Sequence, residues 1–382
     1  MKNIIIVGGG IAGLSAAQAA READSQATIH LVNAEKLLPY YRPRICELFS
    51  GLDPEKLTVR PKQWFADNSI ELINEKASSI NAEDRKIRFA DGSFLFYDKL
   101  VLATGAKGNK PELPGGGEKN SLALRFFADI QLVQNLPGPV ALVGGGLLGL
   151  EAAWHLCKAG RPVIIIERGS WLLKRQLDQE AAQFFLGIVE KAGVRVALAG
   201  QSENYDGTTL LLSDGRAFEA ACVIFAAGIV SEIKLAKSLG LALNRAMVVD
   251  EFMRTSQPDV YACGDCAEFM GSTAGLWTVS QAQGVVAGKN AAGEQTAYIP
   301  KTPPYVMKAM GSTIWSAGEQ TAISLVKKNS VSGCFTKLFF DEQDKLVGAT
   351  LIGDIKQASN LTKAIAAQTA KEEAKREFLQ VL

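Results

Sequence analysis

The sequence has 382 residues, 41 lysines and arginines against 40 aspartates and glutamates for a net charge of +1, and 47% apolar residues. A near-neutral chain carries no overall field that would draw it to nucleic acid or an anionic membrane, and no stretch approaches the ~18–20 continuous apolar residues of a spanning helix. The length suits two or three domains of roughly 100–200 residues each, and the 36 glycines, which follow no period, point to tight turns where backbone approaches a ligand.

At the N-terminus, Ile4-Ile5-Ile6-Val7 is too short a run for a signal sequence and leads directly into Gly8-Gly9-Gly10. It reads as a buried first strand, so the expected location is the cytoplasm. An alanine-rich helix from Leu14 to Arg21 opens out of the glycines, and a second apolar strand runs from Ala27 to Val32. The same pattern returns from Pro139. The strand Pro139–Val143 enters Gly144-Gly145-Gly146-Leu147-Leu148-Gly149, a helix runs from Leu150 to Lys158, and a strand from Pro162 to Ile166 follows. Such self-similarity identifies two copies of one unit.

Each loop reads G-x-G-x-x-G between strand and helix. The first glycine makes the turn, the second leaves room for a pyrophosphate, and the third lets helix and strand pack closely. Phosphates then meet the free N–H groups and dipole of a helix N-terminus. An acid near the end of the second strand suits ribose hydroxyls: Glu35 in the first copy, Glu167 in the second. A carboxylate at Glu167 would repel a 2′-phosphate and so favours NADH over NADPH, with Arg168 beside it acting the other way. The fold class expected is α/β: two Rossmann-like dinucleotide-binding domains and a small α+β C-terminal domain.

Further motifs carry a resemblance. Ala103-Thr104-Gly105 resembles the motif that ends the first FAD segment of two-dinucleotide flavoproteins, the FAD-dependent pyridine nucleotide oxidoreductases. Tyr261-Ala262-Cys263-Gly264-Asp265 is similar to their late Gly-Asp motif, and Val223–Gly228 to the strand that returns the chain to the FAD domain. Leu38-Pro39-Tyr40-Tyr41-Arg42-Pro43-Arg44 resembles the stretch found in ferredoxin and rubredoxin reductases. With Asn33–Lys36, Glu47, Arg175–Asp178, Ala267–Phe269 and Ile352–Asp354, the resemblance sharpens toward NADH:rubredoxin oxidoreductases. It implies an NADH domain (109–226) inserted between two FAD segments (1–108 and 227–299), with a C-terminal domain at 300–382.

The resemblance further implies that Gly8, Gly10, Gly13, Glu35, Arg42, Pro43, Ala103, Thr104, Gly105, Gly264 and Asp265 hold FAD, with Gly228 at the return strand. Gly144, Gly146, Gly149 and Glu167 would hold NADH, and Glu151 would lie near the nicotinamide. Two residues depart from the family pattern. Cys266 replaces an aliphatic residue, and Glu47 replaces the lysine that ferredoxin reductases pair with the counterpart of Glu151.

Cys263 and Cys266 have C-x-x-C spacing, but they interrupt the flavin motif and no second pair completes a metal site, so buried thiols are expected. Cys46 lies three residues beyond the position of the redox cysteine in coenzyme A disulfide reductases. His30 and His155, the only histidines, are expected as packed or surface residues rather than catalysts. Beyond Pro303-Pro304, strands are expected at Tyr305–Ser316, Thr321–Lys327, Cys334–Asp341 and Leu346–Ile352, then a helix at Ala358–Phe378.

The implied activity is hydride transfer from NADH to FAD, then single electrons to rubredoxin, a small acidic iron protein that Arg42, Arg44 and Lys308 would help to steer. Another acceptor, such as a nitrite reductase component, ferredoxin or dioxygen, is the alternative enzyme. An NADH-responsive binding flavoprotein like apoptosis-inducing factor is the alternative of another class. No membrane partner is expected, and the oligomeric state stays open.

Overall fold

The computed structural model describes residues 2–273 and 275–379. They form two compact units: one contains the chain up to Ile45, Asp53–Gly108 and Gly228–Lys301, the other Cys46–Leu52, Asn109–Ala227 and the chain from Thr302.

The first unit is built on a five-stranded parallel sheet in the order Val260–Ala262, Lys99–Leu102, Asn3–Val7, Thr28–Val32, Ile70–Ile73. Continuous Ile/Leu/Val runs suit strands buried on both faces, and Ile4, Ile5, Ile6, Leu31 and Leu100 to Leu102 are fully buried. Helix Ile11–Ala23 covers one face and packs against helix Trp277–Ala292. That crossing is close because a β-carbon at Gly284 or Gly288 would lie 2.2 or 2.1 Å from the carbonyl oxygens of Ala12 or Ala16.

The second unit repeats the design. Its parallel sheet runs Arg195–Ala197, Val163–Ile166, Val140–Val143, Cys222–Phe225, Ser121–Ala123, with helix Leu147–Lys158 after the central strand. Both sheets place the glycine-loop strand between the second strand and the strand that closes the unit, so the internal duplication is also topological. The short segment Cys46–Leu52 packs with this unit. Beyond it stands a five-stranded antiparallel sheet in the order Tyr305–Ala309, Ser312–Gly318, Leu346–Ile352, Cys334–Phe340, Ile323–Asn329.

The C-terminal elements differ from expectation at two points. The strand expected over Tyr305–Ser316 is a hairpin, because Met310 (φ 56°) and Gly311 (φ 70°) form a tight turn with both central residues left-handed. The helix expected over Ala358–Phe378 is two, Ala358–Ala366 and Lys371–Phe378, broken where Gln368 takes φ 50° and Ala370 bridges to Lys345.

Candidate functional site

The two glycine loops have matching hydrogen bonds. Gly8 N donates to Val32 O at 2.9 Å and Ala103 N to Val7 O at 2.8 Å; Gly144 N donates to Ile166 O at 2.9 Å and Ala226 N to Val143 O at 2.8 Å. A β-carbon at Gly8 (φ 127°) would lie 2.0 Å from Ala103 O, and one at Gly144 (φ 121°) 2.5 Å from Ala226 O. At Gly13 and Gly149 it would lie 1.8 and 2.0 Å from the carbonyl oxygens of Gly8 and Gly144. The outer glycines of each motif therefore serve the fold of the loop itself.

The middle positions are different. A β-carbon at Gly10 or Gly146 meets nothing within 4 Å. Both residues are the N-caps of their helices, and glycine has no side chain that could cap the first-turn N–H groups. That is the cradle a pyrophosphate requires.

In the first unit, Glu35 is held on both oxygens. Tyr40 Oη donates to Oε2 at 2.7 Å and Arg42 Nη2 to Oε1 at 2.7 Å. The Arg42 guanidinium also lies 4.7 Å from the centre of the Tyr40 ring. Burial works against its charge, but Tyr40, Glu35 and Asp265 hold it firmly protonated. Buried Asp265 lies in a 3-10 turn, Gly264–Cys266, where Ser280 Oγ donates to its carboxylate at 3.3 Å and Gly264 N donates to Gln283 Oε1 at 2.9 Å. Ser231 Oγ donates to Asp265 O at 2.7 Å, and Thr104 Oγ1 to Glu232 O at 2.7 Å. Gly105 (φ 69°) lies beside them, and Pro43 is exposed at the start of the 3-10 segment Arg42–Ser50. These residues fit FAD: a glycine-capped helix N-terminus for a pyrophosphate, a cation fixed on Glu35, and a buried carboxylate in the Gly264–Cys266 turn.

In the second unit, Glu167 reaches back to its own loop. Its Oε2 accepts from Gly145 N at 2.7 Å and its Oε1 from Gly169 N at 2.6 Å. The sheet registers show that Glu167 corresponds to Asn33 rather than to Glu35, because Ile166 pairs with Val143 as Val32 pairs with Val7. Asn33, 4% exposed, packs against Gly9 at the position that Glu167 holds in the second unit. By the same register Ala226-Ala227-Gly228 corresponds to Ala103-Thr104-Gly105, and both final glycines have positive φ.

Glu151 lies two residues beyond Gly149 on the same helix. Burial, and then the charge of Glu47, push its carboxyl up to about 7. Ser50 Oγ is 2.7 Å from His155 Nδ1, and Gln134 Nε2 donates to Leu48 O at 3.2 Å, which fixes the Glu47 segment in this unit. The Cys46 thiol is pushed well up by burial and by Glu151 and Glu47. Cys263 and Cys266 are fully buried free thiols, both raised chiefly by burial, and Cys266 Sγ donates to Cys263 O at 3.3 Å and Leu102 O at 3.4 Å. His30 is buried in its strand with Nδ1 2.9 Å from Glu71 Oε2.

A sequence profile of the pyridine nucleotide-disulphide oxidoreductases matches residues 2–284. The chain belongs to this family. It is an NAD(P)H-dependent oxidoreductase with the family's cofactors, FAD and NADH. Residues 303–369 match the rubredoxin NAD+ reductase C-terminal domain. An NADH-rubredoxin oxidoreductase of Clostridium acetobutylicum is 31% identical over 95% of this chain and 94% of its own length. The crystal structure of NADH:rubredoxin oxidoreductase from that organism superposes with a TM-score of 0.81 at 29% identity, covering 97% of this chain and 96% of that one. A ferredoxin reductase from Rhodopseudomonas palustris gives 0.87 at 26% identity, covering 98% and 97%. The assimilatory nitrate reductase electron transfer subunit of Bacillus subtilis is 28% identical over 99% of this chain, which spans only 51% of that protein. Among the described residues, no helix of this oxidoreductase is long and apolar enough to cross a membrane.

Proposed function

We propose that this oxidoreductase takes hydride from NADH and passes single electrons to rubredoxin. The observation that carries the acceptor is the C-terminal segment, whose residues 303–369 match the rubredoxin NAD+ reductase C-terminal domain. The 31% identity to the Clostridium enzyme over almost its full length supports the same reading.

In this proposal the Gly8–Gly13 loop receives the FAD pyrophosphate at the N-terminus of helix Ile11–Ala23, with Arg42 as counter-charge and Glu35 as its anchor. Thr104, Gly105, Gly228 and Gly264 give backbone close approach, and Asp265 accepts from a ligand hydroxyl. The Gly144–Gly149 loop receives the NADH pyrophosphate, and Glu167 accepts from the adenosine ribose. Bound FAD would supply the hydride acceptor and the change from two-electron to one-electron chemistry. With its carboxyl raised to about 7 by burial and then by Glu47, Glu151 carries only part of its negative charge near neutral pH. Of the groups expected to steer an acidic partner, Arg44 and Lys308 are exposed and Arg42 is partly buried on Glu35.

A different acceptor is the second reading, favoured by the similarity to the Rhodopseudomonas ferredoxin reductase and the Bacillus nitrate reductase subunit. NADH oxidation by the purified holoenzyme, measured anaerobically with rubredoxin or a plant-type ferredoxin and separately in air-saturated buffer without either, separates the two. Preference for rubredoxin supports the proposal; equal or greater turnover with either alternative removes it.

A further inference from the structure

We propose that the C-terminal sheet braces the second nucleotide loop through Lys337, which acts as a positioning residue for the pyridine nucleotide. The inference rests on reading Gly144–Gly149 as the NADH loop.

Lys337, in the strand Cys334–Phe340, is only 6% exposed. Its Nζ lies 2.6 Å from Asp178 Oδ2 and 2.8 Å from Glu180 Oε2. Asp178 is the N-cap of helix Gln179–Lys191 and accepts from Ala181 N at 3.0 Å. A second tie lies nearby: Ser316 Oγ, also buried, donates to Gln176 O at 2.8 Å. The sheet therefore grips the end of the connection that runs from Glu167 to the helix.

The grip is transmitted by short contacts. Gln176 N and Leu177 N donate to Leu173 O at 2.7 and 2.9 Å. Leu173, held at φ 54°, donates its own N–H to Gly145 O at 3.0 Å. The Leu172 side chain sits where a β-carbon on Gly145 would lie, 2.4 Å from Cδ2. Gly145 N in turn donates to Glu167 at 2.7 Å. Lys337, Asp178, Leu173, Gly145 and Glu167 thus form one continuous run from the C-terminal sheet to the ribose-binding carboxylate. A buried ammonium costs free energy unless it is fully paired, and an apolar contact would join the two layers as well. What the ion pair adds is a fixed direction at the helix cap.

The test is anaerobic stopped-flow reduction of the holoenzyme by NADH, read as a dissociation constant and a limiting rate of flavin bleaching. Lys337→Met should raise the dissociation constant roughly three- to thirtyfold, the range of coupling carried through packed networks. The limiting rate and FAD content should stay within about twofold of wild type, a much smaller free-energy change. If binding, limiting rate and FAD content fall together, the lysine serves general stability and the proposal is overturned. Should that variant fail to fold, Asp178→Asn keeps a capping oxygen and carries the same expectation; an unchanged dissociation constant there also overturns the brace. Glu167→Gln separates the two levels. If it weakens NADH while both brace variants do not, the brace is wrong and the loop assignment stands. If it also leaves NADH binding unchanged, the loop assignment itself is wrong.

Discussion

The two glycine loops allow binding to be separated from folding by single methyl groups. Gly146 has φ −87° and ψ −172°, and Gly10 has φ −78° and ψ −176°, backbone that alanine adopts without strain. A β-carbon at either position touches no protein atom within 4 Å. Gly146→Ala should therefore fold as well as wild type, or gain about 0.5 kcal/mol because the unfolded chain loses freedom. The methyl group would stand in open space at the N-cap of helix Leu147–Lys158. Displacing a pyrophosphate from one charge-assisted hydrogen bond costs about 1.5–3 kcal/mol, or roughly ten- to a hundredfold in NADH affinity. Gly10→Ala should instead lower FAD retention and leave the pyridine-nucleotide loop intact. Thermal melting of the holoprotein, FAD released on heating and NADH titration of the oxidised enzyme provide the readouts. A Gly146→Ala enzyme with normal melting and unchanged NADH affinity would refute the assignment of that helix N-terminus.

Gly149→Ala, whose β-carbon would lie 2.0 Å from Gly144 O, should lose at least about 2 kcal/mol in denaturant unfolding, unlike its neighbour Gly146. For Glu151, the folded-state value of about 7 lies above the ordinary 4.5, so the folded protein binds this proton more tightly than the unfolded chain. The associated stability is fully present below about pH 4.5 and lost as pH rises through about 7, in all about 3 kcal/mol. Denaturant melts between pH 5 and 8 should show that slope, and Glu151→Gln should flatten it. Cys263 and Cys266, buried with raised thiols, should resist iodoacetamide in the native protein at pH 8, as read by mass spectrometry, while half-buried Cys157 and Cys334 react first. Arg42→Met should lower FAD affinity and free Glu35 from its 2.7 Å ion pair; unchanged FAD retention in dialysis would remove Arg42 from the flavin site.

What the sequence makes legible is local and repeated. The strand, glycine loop and helix at Ile4–Arg21 recur at Val140–Lys158 because each motif's turn geometry is encoded within a few residues. The pairing of Glu167 with Asn33 is not local, since it depends on which residues of neighbouring strands align, and counting along the chain selects Glu35 instead. Lys337 and Asp178 are 159 residues apart, and Ser316 and Gln176 140 apart, so nothing near either partner announces the contact. The turn at Met310 and the helix break at Gln368 use left-handed non-glycine residues, which carry little sequence signal. Cys46–Leu52 joins the second unit through contacts such as Ser50 to His155, again remote in sequence.

Reduction of FAD by NADH, followed by one-electron transfer to rubredoxin, is tested most directly in a single anaerobic experiment. The yellow holoprotein is mixed with one equivalent of NADH and followed at the flavin band, and oxidised rubredoxin is then added. Full bleaching by that equivalent is expected, then recovery of the yellow colour as two rubredoxins per flavin are reduced. A flavin that stays oxidised with NADH would contradict the two-nucleotide account, and one that bleaches but is not reoxidised by rubredoxin would contradict the proposed acceptor.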